Sequence, residues 1–532
     1  IMSNSADTKL FHWADQTAEK IIRERGDLDV YTCASGITPS GTVHIGNFRE
    51  IISVDLVVRA LKERGKNVRF IYSWDDYDVF RKVPANMPKQ DELQKYLRYP
   101  ITLVPDTFGR DESYARHHEV DVENILPKVG IHPEFLYQAE RYRSGMYVEG
   151  MKKALDNREK IKDCLNRHRD DAHKIPADEA YWPVSVFCSA CNRDTTTVTG
   201  WDGEWGLSYT CECGHGETAD IRTAKGVKLG WRVDWPMRWF FEKTVFEPAG
   251  KDHHSQGGSF DTARIVSEEI FDWPAPVTFR YDFIGSKGNP GKMSSSSGKV
   301  VDLADVLRVY QPEVTRYLFA GTRPNTEFVI SFDLDVIKIY EDYDKTERIA
   351  WGLQAAKNDD VLAKEKRIYE LSQVDGMPSC VSYQIPFRHL CNLLQINSGD
   401  IDAVLSSLPD LLPDQVDRLK TRAACAWYWI TECAPEDFRF ALVADGTCAE
   451  LSATEKTAVV TIRDSVLPVM DGLDEKALSE RLYAVANDAG LDPKDLFTAV
   501  YRALVGKERG PRLASFMKVI GPERLSAILS GY

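Results

Sequence analysis

Between residues 30 and 73 the sequence alternates in a way few folds accept. Val30-Tyr31-Thr32-Cys33-Ala34 reads as a strand, and so does Asn67-Val68-Arg69-Phe70-Ile71-Tyr72-Ser73. Between them lie a Gly/Pro/Ser loop from Ser35 to Gly41 and a helical stretch from His44 to Arg64, with Gly65 behind it. A strand–loop–helix–strand order needs a crossover connection, which makes the two strands parallel. Ligands on parallel sheets sit at the carboxyl ends of the strands. The loop after the first strand is therefore the first place to look for chemistry. A preceding helix from about Asp7 to Arg25 is predicted by Ala14, Ala18 and Ile21, and Gly26 stops it.

The rest of the chain is organised around this unit. At 532 residues it is too long for one core, and roughly three or four domains are expected. Residues 1–99 form the first half of an α/β domain. Residues 100–225 interrupt it with helices and a turn-rich, Cys-rich segment from Trp182 to Glu217, and 226–284 resume it, with Val277 to Tyr281 as a late strand. Residues 285–345 make a loop and a connection, and 346–532 are almost entirely helical. There Leu478, Leu482, Val485 and Ala489 share one face, Gly490 ends the helix, and Asp492-Pro493 opens the next, with Leu496, Val500 and Leu504.

Composition excludes several classes. Apolar residues make up 43% and charged residues 28%, as in globular enzymes and unlike disordered or collagenous chains. No apolar run approaches the roughly eighteen residues of a membrane span. The first residues lack a basic patch followed by an apolar stretch, so no export signal is expected. Eleven cysteines are too few for a disulfide scaffold, which points to a reducing cytoplasm. The net charge of −14 does not advertise a nucleic-acid binder, although a local basic surface still holds phosphate.

Two segments carry the chemistry. Gly36-Ile37-Thr38-Pro39-Ser40-Gly41-Thr42-Val43-His44-Ile45-Gly46-Asn47 follows a strand and opens a helix. Its glycines let backbone approach a ligand, and the helix start offers N–H groups to phosphate. His44 and Asn47 share the first helical turn. Downstream, Lys292-Met293-Ser294-Ser295-Ser296-Ser297-Gly298 is a Gly/Ser loop with a cation, able to close on charge developing in phosphoryl transfer.

In this order, on an α/β chain, the pair resembles the two signatures of class I aminoacyl-tRNA synthetases. Asn47 replaces the second His of the first signature, and Ser295 the second Lys of the other. Both departures resemble the class I lysyl-tRNA synthetases. So do the stretches from Trp74 to Pro84 and from Trp231 to Trp239, and Gly250-Lys251-Asp252-His253 with Gly257-Gly258-Ser259. The resemblance covers residues 30 to 325 strongly and the helical end weakly. It implies a Rossmann-type catalytic domain with a zinc-containing insertion, followed by an all-α anticodon-binding region. The implied partners are ATP with Mg2+, L-lysine and tRNA(Lys).

Residue roles follow position by position from the resemblance. His44 and Asn47 hold the ATP phosphates, with Ser40 and Gly46 beside them. Lys292, with Met293, Ser294 and Ser295, stabilises the α-phosphate and the departing pyrophosphate. Asp252 bonds the ribose. Gly36, Thr38, Trp231, His253 and Tyr281 form the lysine pocket, where an aromatic wall suits a butyl stem and its ammonium. An acid is expected at the ε-amino group, with Asp75, Asp76 and Asp234 as candidates. The alternatives are a class I synthetase for arginine or glutamate, and a tRNA-binding paralogue without catalysis.

Cys188-Ser189-Ala190-Cys191 and Cys211-Glu212-Cys213 form two close pairs across a turn-rich hairpin, a spacing that suits structural zinc. Because the second pair is Cys-x-Cys, His215 is a possible substitute ligand. At the other end, residues 490–532 hold seven Lys/Arg against four Asp/Glu. This basic end, resembling the anticodon-binding end of glutamyl-type synthetases, offers cations for tRNA phosphates and aromatics such as Phe497 or Tyr501 for stacking.

Overall fold

The computed structural model describes residues 9–287 and 300–532. Lys292, Met293, Ser294 and Ser295 lie outside the described residues. The chain divides into two compact units. The first comprises Ile1–Val306, Pro312–Ile330 and Ala355–Met377, and the second Leu307–Gln311, Ser331–Gln354 and Pro378–Tyr532.

The first unit is built on the expected crossover. Helix α1 (Trp13–Arg25) precedes β1 (Tyr31–Ile37), α2 (Ile45–Glu63) and β2 (Val68–Trp74). The parallel sheet continues through β3 (Glu134–Tyr137) beside β2. On the other side of β1 lies β4 (Thr244–Phe246), which follows α3 (Trp231–Glu242). The order is β3-β2-β1-β4, with every neighbouring pair parallel. Beyond it, β5 (Ala249–Gly250) pairs in parallel with β6 (Arg280–Tyr281). Residues 277–279 do not join β6. Val277 makes only an isolated bridge to Phe246, so the expected late strand shrinks to two residues.

The strand β1 runs three residues further than Gly and Ser suggest. Ser35, Gly36 and Ile37 stay in register opposite Tyr72, Ser73 and Trp74. A Cβ on Gly36 would stand 2.8 Å from the Ser73 carbonyl oxygen, so glycine is what lets the strands lie this close. The first helix begins at Trp13, later than expected, because the His12 ring caps it by accepting from the Ala14 N–H. In α2 almost every side is buried, including Ile45, Phe48, Ile51, Ile52, Val54, Leu56, Val57, Val58 and Leu61. Two of its charges, Arg49 and Asp55, are matched in the core. Asp55 meets the fully buried Arg316 at 2.8 Å, and Arg49 donates to the carbonyls of Asp282, Arg323 and Thr326.

The insertion carries a three-stranded antiparallel ribbon of Thr196–Trp201, Gly206–Cys211 and Gly216–Asp220. It packs Leu207, Tyr209 and Ile221 against Met151, Leu155 and Ile161 of the preceding helices. In the second unit Leu478, Leu482 and Val485 pack with Leu496, Val500 and Leu504, as their spacing requires. Gly490 takes the left-handed conformation behind the first of these helices, and Asp492 caps the next. No helix among the described residues is long and apolar enough to cross a membrane.

Candidate active site

A cavity of about 700 Å3 opens at the carboxyl ends of β1 and β2, inside the first unit. Gly36, Thr38, Ser40, His44, Gly46, Asn47, Trp231, Asp252, His253 and Tyr281 all line it. Ten residues from four separate segments of sequence thus meet at one space.

The end nearest α2 is shaped by a reciprocal cap. The Asn47 N–H donates to Nδ1 of His44 at 3.3 Å, and Oδ1 of Asn47 accepts from the His44 N–H at 3.1 Å. The ring is therefore held over the helix start, where N–H groups and the helix dipole favour anions. A Cβ on Gly46 would lie 2.9 Å from that ring, so the cap requires glycine there. Ser40 is exposed at the rim, and its carbonyl accepts from the Tyr114 hydroxyl at 2.6 Å. The chain returning at residue 301 docks on the same turn, with the Ile45 N–H donating to the Val301 carbonyl at 2.8 Å. Asp252 is exposed at the mouth.

The cavity is acidic: among the described residues, seven lining carboxylates (Glu50, Asp75, Asp78, Asp234, Glu247, Asp252 and Asp282) face three Lys/Arg side chains, Arg81, Lys228 and Arg238. Of the three acids expected for an amino group, Asp75 and Asp234 line the cavity, but both lie against Arg238, at 2.7 and 3.2 Å. Asp234 also accepts from the Tyr142 hydroxyl. Asp76 does not line the cavity. It accepts from the Ala139 N–H at 2.8 Å, and burial beside Glu119 lifts both carboxyls above their usual range.

Sequence reasoning missed Glu50. Its carboxylate accepts from Ser35 Oγ at 2.8 Å, the Gly36 N–H at 3.1 Å and the Tyr281 hydroxyl. Burial pushes this carboxyl up to about 7 in spite of those bonds, because no ion pair to it is formed among the described residues. Glu247 is similar. It accepts from the Trp239 indole N–H at 2.7 Å, and burial with Glu50 nearby pushes it to about 7. The available signal was an acid inside the apolar run of α2, on the turn following the signature. The aromatic wall beside these acids is stacked: Trp231 lies on Trp235 with centroids 4.9 Å apart, and His253 meets Trp235 edge-on at 5.7 Å.

Away from this cavity, the four expected thiols converge. The Cys188 and Cys213 sulfurs are 3.7 Å apart, and those of Cys191 and Cys211 3.6 Å apart. Tetrahedral zinc with bonds of roughly 2.3 Å sets its sulfurs roughly 3.8 Å from each other. His215 is not in this group; its Nε2 lies 3.1 Å from Ser189 Oγ and 3.5 Å from Glu217.

Comparison with known proteins gives the same direction. Residues 11–375 match the family described as "tRNA synthetases class I (K)". The chain is 64% identical to the lysine–tRNA ligase of Treponema pallidum over 525 residues, 98% of this chain and 99% of the relative. It is 51% identical to that of Borreliella burgdorferi, over 98% of this chain and all of the relative. It is 42% identical to that of Thermococcus kodakarensis, over 97% and 98%.

Proposed function

The chain belongs to the class I (K) tRNA synthetases and acts as a lysine–tRNA ligase, and on that premise we propose how its residues divide the reaction. The single observation carrying this division is the convergence of the ten residues named above on one acidic cavity.

In the first step a lysine carboxylate oxygen attacks the α-phosphorus of ATP, taken as its magnesium complex. The bond to the β-phosphate oxygen breaks, and pyrophosphate leaves with the bonding pair. His44, Asn47 and the start of α2 hold the phosphates, and Asp252 bonds the ribose. Lys292 neutralises charge on the transferring and leaving groups, and Met293, Ser294 and Ser295 complete the ATP-binding loop around it. Gly36 and Thr38 give backbone access to the amino acid. Trp231 and His253 flank its stem, while Glu50, oriented by Tyr281, takes the ε-ammonium. In the second step the 2′-hydroxyl of the terminal tRNA adenosine attacks the lysyl carbonyl and AMP leaves. Binding of tRNA precedes efficient activation. Glutamate is disfavoured because its side chain would face Glu50 and Glu247 with like charge.

Cys188, Cys191, Cys211 and Cys213 would hold a zinc ion, whose chemistry there is structural: it closes the ribbon and leaves no ligand position open.

The helical region within residues 346–532 is the anticodon-binding part of this reading. Its support is a cavity of about 540 Å3 in the second unit, lined by Arg388, Arg439, Arg509 and Arg512 together with Phe438 and Phe440. Cations around aromatic faces suit phosphates and an unstacked base. Tyr501 serves the wall of this cavity: its hydroxyl donates to the Pro511 carbonyl at 2.6 Å. Phe497 packs on Tyr483 at 5.5 Å.

The test is pyrophosphate exchange into ATP with each standard amino acid, with and without total tRNA. Exchange with lysine alone, dependent on tRNA, is expected. Exchange with arginine or glutamate would overturn the pocket assignment. With Lys292→Ala, a loss of several orders of magnitude at retained tRNA binding is expected.

A further inference from the structure

The strand β6 separates two cavities. Successive strand residues point to opposite faces, and Tyr281 lines the active site while Arg280 lines a second space of about 610 Å3 within the first unit. Among the described residues no carboxylate lines this second space, in contrast with the seven in the first. Its charged side chains are Arg280, Arg323 and Lys364, from three separate segments. The Arg323 guanidinium and the Lys364 ammonium form no ion pair or hydrogen bond among the described residues. Arg280 is held by Asp282 at 2.8 Å. Two histidines also line the wall. Burial lowers both, His12 to about 4, so they add no charge near neutrality. Phe279 and Trp13 meet edge to face at 5.6 Å, and the Trp13 indole N–H is a buried donor with no acceptor.

On a chain of net charge −14, an open cleft whose charged lining among the described residues is wholly cationic favours anions. Its breadth and its three separated cations exceed what one phosphate satisfies. We infer that this cavity is a second binding site, for an oligophosphate: inorganic pyrophosphate or the tail of a nucleoside triphosphate. The site is mechanically tied to the first. Arg323 and Asp282 each give a backbone carbonyl to the same Arg49 guanidinium, at 2.8 Å, and Arg49 precedes Glu50 on α2. An anion drawing Arg280 away from Asp282 is therefore felt at the lysine pocket.

The experiment is backbone hydrogen exchange on the full chain with inorganic pyrophosphate, ATP, GTP or sulfate at matched ionic strength. Pyrophosphate should slow exchange at residues 11–17 and 320–326 as well as at 36–47. The double variant Arg323→Ala, Lys364→Ala should weaken the first effect at least tenfold and leave the second. Equal protection by pyrophosphate, ATP and GTP supports the shared phosphate chemistry. Stronger protection by the triphosphates supports it with nucleotide as the source, and protection by pyrophosphate alone supports it with the free anion as the source. Protection confined to 36–47, equal protection by sulfate, or an unaltered double variant would overturn the site. The readout is positional and does not need aminoacylation, so its failure is distinct from failure of the catalytic reading.

Discussion

Glu50→Gln is the sharpest probe of amino-acid recognition. The substitution keeps a carbonyl for the Ser35 and Gly36 donors, removes the charge, and puts an amide NH2 where the Tyr281 hydroxyl donated. Neutralising one member of a buried charge pair costs about 2–5 kcal/mol. At about 1.4 kcal/mol per tenfold, the middle of that range is roughly 300-fold in kcat/KM for lysine. ATP affinity should change by less than about threefold, since the carboxylate bonds to Ser35, Gly36 and Tyr281 and not to the His44 cap. Burial pushes the wild-type carboxyl up to about 7, so lysine kcat/KM should rise with pH through neutrality, and the variant should be flat there. Stability gives an independent sign. A carboxyl raised from its ordinary value to about 7 favours the protonated fold, so its contribution is present at pH 4 and lost as pH rises through 7. A carboxyl held that far above its ordinary range is worth about 3 kcal/mol. The variant should therefore match wild type near pH 4 and exceed it by about that amount near pH 8, read by urea unfolding. Lysine kcat/KM within threefold of wild type, measured by exchange in the presence of tRNA, would refute the assignment and pass the role to Glu247.

Elemental analysis of the purified chain should find one zinc, and Cys191→Ser should lose it together with the protection of the ribbon amides. Arg316→Met leaves the buried Asp55 carboxylate with Arg59 alone, at 3.2 Å, and should cost about 3 kcal/mol, the low end for breaking a buried pair, whereas adding Asp55→Asn should recover part of it; chemical denaturation of both variants decides. Asp76 and Glu119 are buried together and both raised, so the fold loses stability as pH climbs above the ordinary carboxylate range. Glu119→Gln should thus be neutral at pH 5 and stabilising at pH 9, and a difference independent of pH would count against a shared proton.

What was legible in the sequence was local. The crossover, the His44 turn and the two cysteine pairs are contiguous patterns, in which spacing alone decides which groups meet. The errors came from the same locality. Ser35 to Ile37 reads as loop because Gly and Ser weaken strands, yet β2 supplies partners for all three. Residues 277–281 read as a full strand by composition, yet only Arg280 and Tyr281 find a partner, because β5 is just two residues long. His215 follows the second thiol pair closely, but the turn at Gly214, in the left-handed region, sends its ring to Ser189.

Glu50 was hidden for a different reason, and it explains why lysine specificity could not be read from a list of acids. Asp75, Asp76 and Asp234 sit in the segments that resemble the family, and any of them looks suited to an ammonium. The structure gives each an existing obligation. Arg238 reaches both Asp75 and Asp234, and Asp76 accepts from backbone beside Glu119. An acid already matched by a guanidinium gains little from a second cation. A buried acid satisfied only by neutral donors gains most, because a cation removes the desolvation cost that raised it. Glu50 and Glu247 alone among the lining acids carry that mark, a carboxyl pushed to about 7 with hydroxyl, amide or indole donors around it. Selectivity for a cationic amino acid therefore resides in which charges are left unmatched, a property of packing that no residue type or spacing encodes by itself.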